Sequence, residues 1–203
     1  MVEAPPRQSP LAHLGLDRRT AAATPVWIAE DPFRVQINLR GDAGKDAFRQ
    51  AVATALDLAL PQVPNTTATA GGRTILWLGP DEWLVVAPPN DDGELPRTLR
   101  QALVGVAAAV TDISEARTVI IVSGPRARDV LAKGCALELH PQEFAPGSCA
   151  QSTIETLDVI LHQTDEVPTY ELFVHRSFAE HLWLWLEDAA LEYDGGYPAA
   201  SRA

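Results

Sequence analysis

Four consecutive β-branched apolar residues, Val119-Ile120-Ile121-Val122, run directly into Ser123-Gly124-Pro125. Such a run is too short for a helix and suits a buried strand. The Ser-Gly-Pro junction stops that strand and starts a helix. Gly124 is expected as the N-cap and Pro125 at the first helical position, where its missing N–H costs nothing and its fixed φ is already helical. The helix runs through Ala127, Val130 and Leu131 to Lys133, a cation suited to the C-terminal end of the dipole, and Gly134 is expected to take the left-handed cap. This strand–turn–helix unit is either framework or an active-site turn, and the rest of the chain decides which.

Residues 33–40 alternate, with Phe33, Val35, Ile37 and Leu39 on one side and Arg34, Gln36, Asn38 and Arg40 on the other. That pattern reads as a half-buried strand. Asp42 is expected to cap a helix over about 43–58 that buries Ala47 or Phe48, Ala51, Val52, Ala55 and Leu56. Residues 61–73, rich in Pro, Thr and Gly, read as an exposed loop. Strands at 75–78 and 83–87 around Gly79-Pro80-Asp81-Glu82 form a hairpin. A helix near Pro96 puts Leu95, Leu99, Leu103 and Val106 on one side. Residues 135–147 are irregular, strands follow at 149–154, 157–163 and 170–175, and a capping box of Ser177 and Glu180 opens a last helix to about Tyr193. Hairpin-linked strands with interspersed helices indicate an α+β fold with a largely antiparallel sheet. The domain organisation expected is a flexible arm at 1–25, one α+β domain at 26–195 and a tail at 196–203.

Several functions find no support. A net charge of −11 argues against nucleic acid and anionic membranes, which need a basic footprint. No apolar run approaches the roughly 20 residues of a membrane span, and no secretory leader pattern is visible, so a cytoplasmic location is expected. There is no G-x-G-x-x-G after a strand and no Walker A sequence. Arg126 and Arg128 at the start of the second Gly-Pro helix could hold an anion or simply be solvated. Cys135, His140 and Cys149 lack the tight spacing and fourth ligand of a zinc site. Asp112 and Asp158 lie near strands without an assignable partner for acid–base work. In the last helix Phe178, Leu182, Trp185, Leu186, Ala189 and Tyr193 form one apolar stripe. Trp183, Leu184 and Leu191 fall off it, so they are covered by another layer of the domain or form a face that docks on another subunit.

With these segments placed, the chain resembles the gamma subunits of heterotetrameric sarcosine oxidases. The residues that carry the resemblance are Leu78-Gly79-Pro80-Asp81-Glu82-Trp83-Leu84, Asp112-Ile113-Ser114 with Arg117-Thr118, and 123–131 (SGPRARDVL). Lys133-Gly134-Cys135, Leu139-His140-Pro141, Phe144, and Arg176-Ser177-Phe178-Ala179 ahead of Trp183 and Trp185 complete it. That family is a distant relative of the glycine-cleavage T-protein, so the resemblance implies a folate-binding-domain-like, aminomethyltransferase-type α+β fold in two intimate halves. The transferases' D-V-S-H is Asp112-Ile113-Ser114-Glu115 here, and their D-D-L-I-V run is Leu157-Asp158-Val159-Ile160-Leu161. One histidine and one of two aspartates are gone. The resemblance therefore implies a non-catalytic, structural chain within an enzyme that oxidises sarcosine to glycine and gives hydrogen peroxide and methylenetetrahydrofolate. It implies FAD, FMN, NAD and tetrahydrofolate in the alpha and beta subunits, zinc in delta, and direct packing on alpha. The alternative is a stand-alone folate-dependent aminomethyltransferase or folate-binding protein.

Overall fold

The computed structural model describes residues 7–16, 25–89 and 93–193; the tail expected at 196–203 lies outside the described residues. Ten strands and four α-helices follow in the order β1 (Trp27–Asp31), β2 (Val35–Gly41), α1 (Asp46–Leu56), β3 (Thr67–Ala70), β4 (Arg73–Gly79), β5 (Glu82–Ala87) and α2 (Glu94–Ala102). Then come β6 (Ala108–Asp112), β7 (Arg117–Ser123), α3 (Ala127–Ala132), β8 (Cys149–Ile154), β9 (Leu157–Asp165), β10 (Thr169–His175) and α4 (Ala179–Ala190). The first sheet has the order β1-β7-β10-β9-β8, the second β3-β4-β5-β2-β6, and every pairing is antiparallel.

The core divides into three apolar layers. Ile120, Val122, Leu161, Tyr170 and Leu172 of the first sheet pack under Val130 and Leu131 of α3 and Leu182, Trp183 and Leu186 of α4. Ile37, Leu39, Ile75 and Val85 of the second sheet pack under Phe48 and Val52 of α1 and Leu95 and Leu99 of α2. Between the sheets, Leu76, Leu84 and Val86 meet Val119, Cys149, Ile160 and Phe173. The molecule is thus helices, sheet, sheet, helices, the α+β arrangement of two intimate halves. The continuous apolar run of β7 has its reason here, because both its faces are covered.

The double covering also explains where the simple alternation breaks. Gln36 sits on the expected polar side of β2 yet is fully buried, because that side faces the other sheet; its Nε2 donates to the Arg117 carbonyl at 3.3 Å. Phe33 is not in the strand but in the preceding turn, with φ +68°. The segment expected as a loop contains β3, an edge strand with no buried residue, which is why it lacks an apolar signal. β1, another edge, also went unread.

Four expected caps differ. Asp42 accepts from the Gly44 N–H at 2.8 Å, a local turn, and α1 begins only at Asp46 with Lys45 as its N-cap. Gly124 is not the N-cap of α3, which is Arg126. A Cβ on Gly124 would lie 2.6 Å from the Pro25 carbonyl oxygen, and its φ is +117°, so glycine is required by a backbone crossing. Gly134 takes no left-handed cap; a Cβ there would lie 2.5 Å from Cζ2 of Trp185. Ser177 makes no cap bond either: a 3-10 turn, Arg176–Phe178, leads straight into α4. Within the expected arm, Leu11 is fully buried in the α3–α4 layer, and Arg176 Nη2 donates to the Gln8 carbonyl at 2.7 Å.

Candidate functional site

The residues expected at an interface separate. Trp183 is fully buried in the layer between α4 and the first sheet and is withdrawn from the candidate surface. The helix turns Ala179, Leu182, Trp183, Leu186, Ala189 and Ala190 inward, a face rotated from the expected stripe, and Trp185 lies against Gly134. Leu184 and Leu191 are 50% and 60% exposed, and Phe178 is 46% exposed. With His181 and Asp188, both exposed, they make a strip at spacings of three and four residues, one outward side of a helix.

The segment that stands at the transferase histidine is tied up in charge pairs. Glu115 lies 2.6 Å from Arg7 and 3.7 Å from Arg176. Asp112 accepts from the Ser114 N–H at 3.0 Å and its hydroxyl at 2.6 Å, and Ser114 Oγ in turn accepts from the Gln36 N–H at 3.0 Å. Asp112 is therefore a turn brace that pins β6 to β2. Arg126 is also answered internally, by Asp129 at 2.8 Å and the Tyr193 ring at 5.6 Å. Among the described residues no group of three or more His, Cys, Asp or Glu could hold a metal ion. Cys149 Sγ points at the Thr66 and Trp77 carbonyls, each at 3.4 Å, and burial pushes its thiol up to about 11.

A charged network lies at one end of the inter-sheet layer. His162 on β9 donates through Nδ1 to Glu171 Oε2 on β10 at 3.0 Å, since a carboxylate can only accept. Glu171 Oε1 accepts from Arg34 at 2.9 Å, and Arg34 Nε also reaches Asp31 at 2.6 Å. Burial pushes the Glu171 carboxyl up, but the His162 hydrogen bond and the Arg34 charge together outweigh it and hold the group below its ordinary value. His162 Nε2 lies 3.5 Å from Thr67 Oγ1 of the second sheet. None of these residues was singled out from sequence for a site. The available signal was a lone charge inside an apolar strand, Glu171 in Tyr170-Glu171-Leu172-Phe173.

The opposite end of the same face is open. Leu157 and Asp158, adjacent on β9, point to opposite sides: Leu157 into the helical layer, Asp158 into a groove of about 540 Å3 with Arg117, Thr153 and His175. The aspartate kept here is therefore the one on the groove side.

The sequence model of the "Sarcosine oxidase, gamma subunit family" matches residues 40–192. The sarcosine oxidase subunit gamma of Corynebacterium sp. (strain P-1) is 36% identical over 190 residues, 92% of this chain and 91% of that protein. Its counterpart from Arthrobacter sp. is 37% identical over 189 residues, with the same coverage. Among solved structures, a chain of the heterotetrameric sarcosine oxidase from Corynebacterium sp. U-96, in complex with pyrrole 2-carboxylate, superposes with a TM-score of 0.84 at 34% identity, over 97% of this chain and 99% of that one. The glycine-cleavage aminomethyltransferase T of Bartonella henselae superposes with a TM-score of 0.62 at 15% identity, over 82% of this chain and 46% of that one, which shows a shared fold. On the family match and the near end-to-end relatives, this chain belongs to the sarcosine oxidase gamma subunit family.

Proposed function

We propose that this chain is the accessory gamma subunit of a heterotetrameric sarcosine oxidase, the complex that converts sarcosine to glycine with formation of hydrogen peroxide and methylenetetrahydrofolate. The observation that carries this reading is the end-to-end superposition on a chain of such a complex. The chain contributes assembly and stability. Supporting a non-catalytic role, the turn at Asp112 is a brace and Glu115 is spent in ion pairs. FAD, FMN, NAD and tetrahydrofolate belong, on this reading, to alpha and beta, and zinc to delta. The complex is cytoplasmic; no helix among the described residues is long and apolar enough to cross a membrane.

The docking surface for alpha is the outward strip of α4 carrying Leu184 and Leu191, with Phe178 at its start. Exposed leucines at this spacing offer an apolar ridge whose burial contributes roughly 25 cal/mol per Å2. Co-expression of this chain with tagged alpha, beta and delta tests both parts. The wild-type chain is expected to co-purify in a yellow complex, and Leu184→Asp/Leu191→Asp to lose its place while keeping its own circular dichroism. Failure of the wild-type chain to co-purify, or tight tetrahydrofolate binding by the chain alone, rejects the accessory role. Normal recovery of the double variant moves the interface off α4.

A further inference from the structure

The groove at the open end of the first sheet has an organisation that the assembly role does not use. Register places its polar side chains in one row across four strands. His175 pairs with Arg117 of β7, the β10–β9 register continues from Val174 opposite Val159 to set His175 beside Asp158, and Asp158 pairs with Thr153 of β8. The next row inward is Val119, Phe173 and Ile160, where the second sheet closes over the first, and Phe173 and Ile160 form the groove floor.

The row has no internal pairing, unlike the ion pairs of Arg40 with Asp81, Arg49 with Asp46, Lys133 with Glu192 and His181 with Glu155 elsewhere on the surface. Among the described residues, Arg117, His175, Asp158 and Thr153 make no side-chain hydrogen bond or ion pair. Arg117 is only partly exposed, and burial outweighs the charge of nearby Glu82 in pulling its pKa down. Glu82 is itself engaged, accepting from Asn38 at 2.6 Å. A half-buried guanidinium without an acceptor is an unfavourable arrangement that an incoming anion relieves. Arg117 and Asp158 lie two strands apart, about 10 Å between backbones, too far to satisfy each other yet within reach of one small ligand between them.

We propose that this groove binds a small zwitterion carrying a carboxylate, an α-amino acid in chemical class. The carboxylate lies against Arg117 and His175, the ammonium against Asp158 and the Thr153 hydroxyl, over the Phe173–Ile160 floor. A plain anion satisfies only the Arg117 end, and a plain amine only the Asp158 end. The opposed charges of the site therefore select the dipolar ligand.

The test is an amide chemical-shift titration of the full-length chain with glycine, sarcosine, acetate and methylamine. Saturable shifts confined to β7, β8, β9 and β10 are expected with glycine and sarcosine, and acetate binds about fivefold weaker, the upper effect of one lost exposed charge contact. Arg117→Gln abolishes saturation, and Asp158→Asn, at an exposed position, brings glycine down to the level of acetate while leaving the fold intact by circular dichroism. The proposal is overturned by no saturable shift up to roughly 50 mM ligand, far beyond millimolar affinity, by acetate matching glycine, or by an Asp158→Asn chain that binds as the parent does. A chain that assembles with its partners yet fails this titration refutes the groove alone and leaves the subunit role standing.

Discussion

Replacing Glu171 by glutamine keeps the shape of the side chain and removes its charge. In the folded protein the carboxylate, 9% exposed, takes one hydrogen bond from Arg34 at 2.9 Å and one from His162 at 3.0 Å. At an effective dielectric near 20, the Coulomb attraction to Arg34 alone is roughly 6 kcal/mol. Most of that is offset by the desolvation of two ions, and Arg34 retains Asp31 at 2.6 Å in the variant. The net loss is therefore set by charge-assisted hydrogen bonds becoming neutral ones, about 1.5–3 kcal/mol. With a urea m-value near ~2.5 kcal/mol/M, the unfolding midpoint of Glu171→Gln falls by roughly 0.6–1.2 M at neutral pH. A pH series adds the sign. The folded pKa of Glu171 lies below the ordinary carboxyl value of 4.5, so its contribution is fully present above that value and is lost as pH falls through the folded pKa. The parent and variant stabilities should converge in acid. A gap that is absent at neutral pH, or that stays constant on acidification, refutes the claim that an ionised Glu171 braces the two sheets.

Neighbouring residues of α4 should behave oppositely: Trp183→Ala costs about 3–5 kcal/mol, while Leu184→Ala stays within about 0.5 kcal/mol, both read from urea midpoints; equal effects would contradict the burial of Trp183. Gly134→Ala forces the Trp185 ring from its seat and should destabilise by about 1–3 kcal/mol, with a change in indole fluorescence; an unchanged midpoint and spectrum would mean that the ring does not lie over Gly134. Cys149, with its thiol pushed up to about 11, should resist disulfide-exchange reagents at about pH 8 in the folded chain and react once urea unfolds it. Rapid labelling of Cys149 under native conditions, located by peptide mapping, would contradict its seat between the sheets.

The sequence by itself determined the local elements and the family. The β7–α3 unit, the 75–87 hairpin and the three late strands follow from apolar runs and turn residues acting over short distances, and these are physical constraints a single segment carries. It also showed which transferase residues were gone. The edge strands β1 and β3 were not legible, because an edge with little to bury imposes little apolar pattern. The caps at Asp42 and Ser177 misled for a related reason, since a side chain that can cap has several backbone partners within reach.

Only the tertiary structure decided which faces are buried twice. Facing the two sheets buried Gln36 and Glu171, and packing α4 on the other face of the first sheet turned Trp183 inward and left Leu184 and Leu191 outside. Gly124 and Gly134 owe their identity to Pro25 and Trp185, neighbours far away in the chain. Register across four strands brought Arg117, His175, Asp158 and Thr153 into one row. A strand's period of two fixes which residues share its face, but only its pairing partners fix which charges meet. The strand–turn–helix unit that anchored the sequence reading is framework, and its first residue, Arg117, is where the open groove begins.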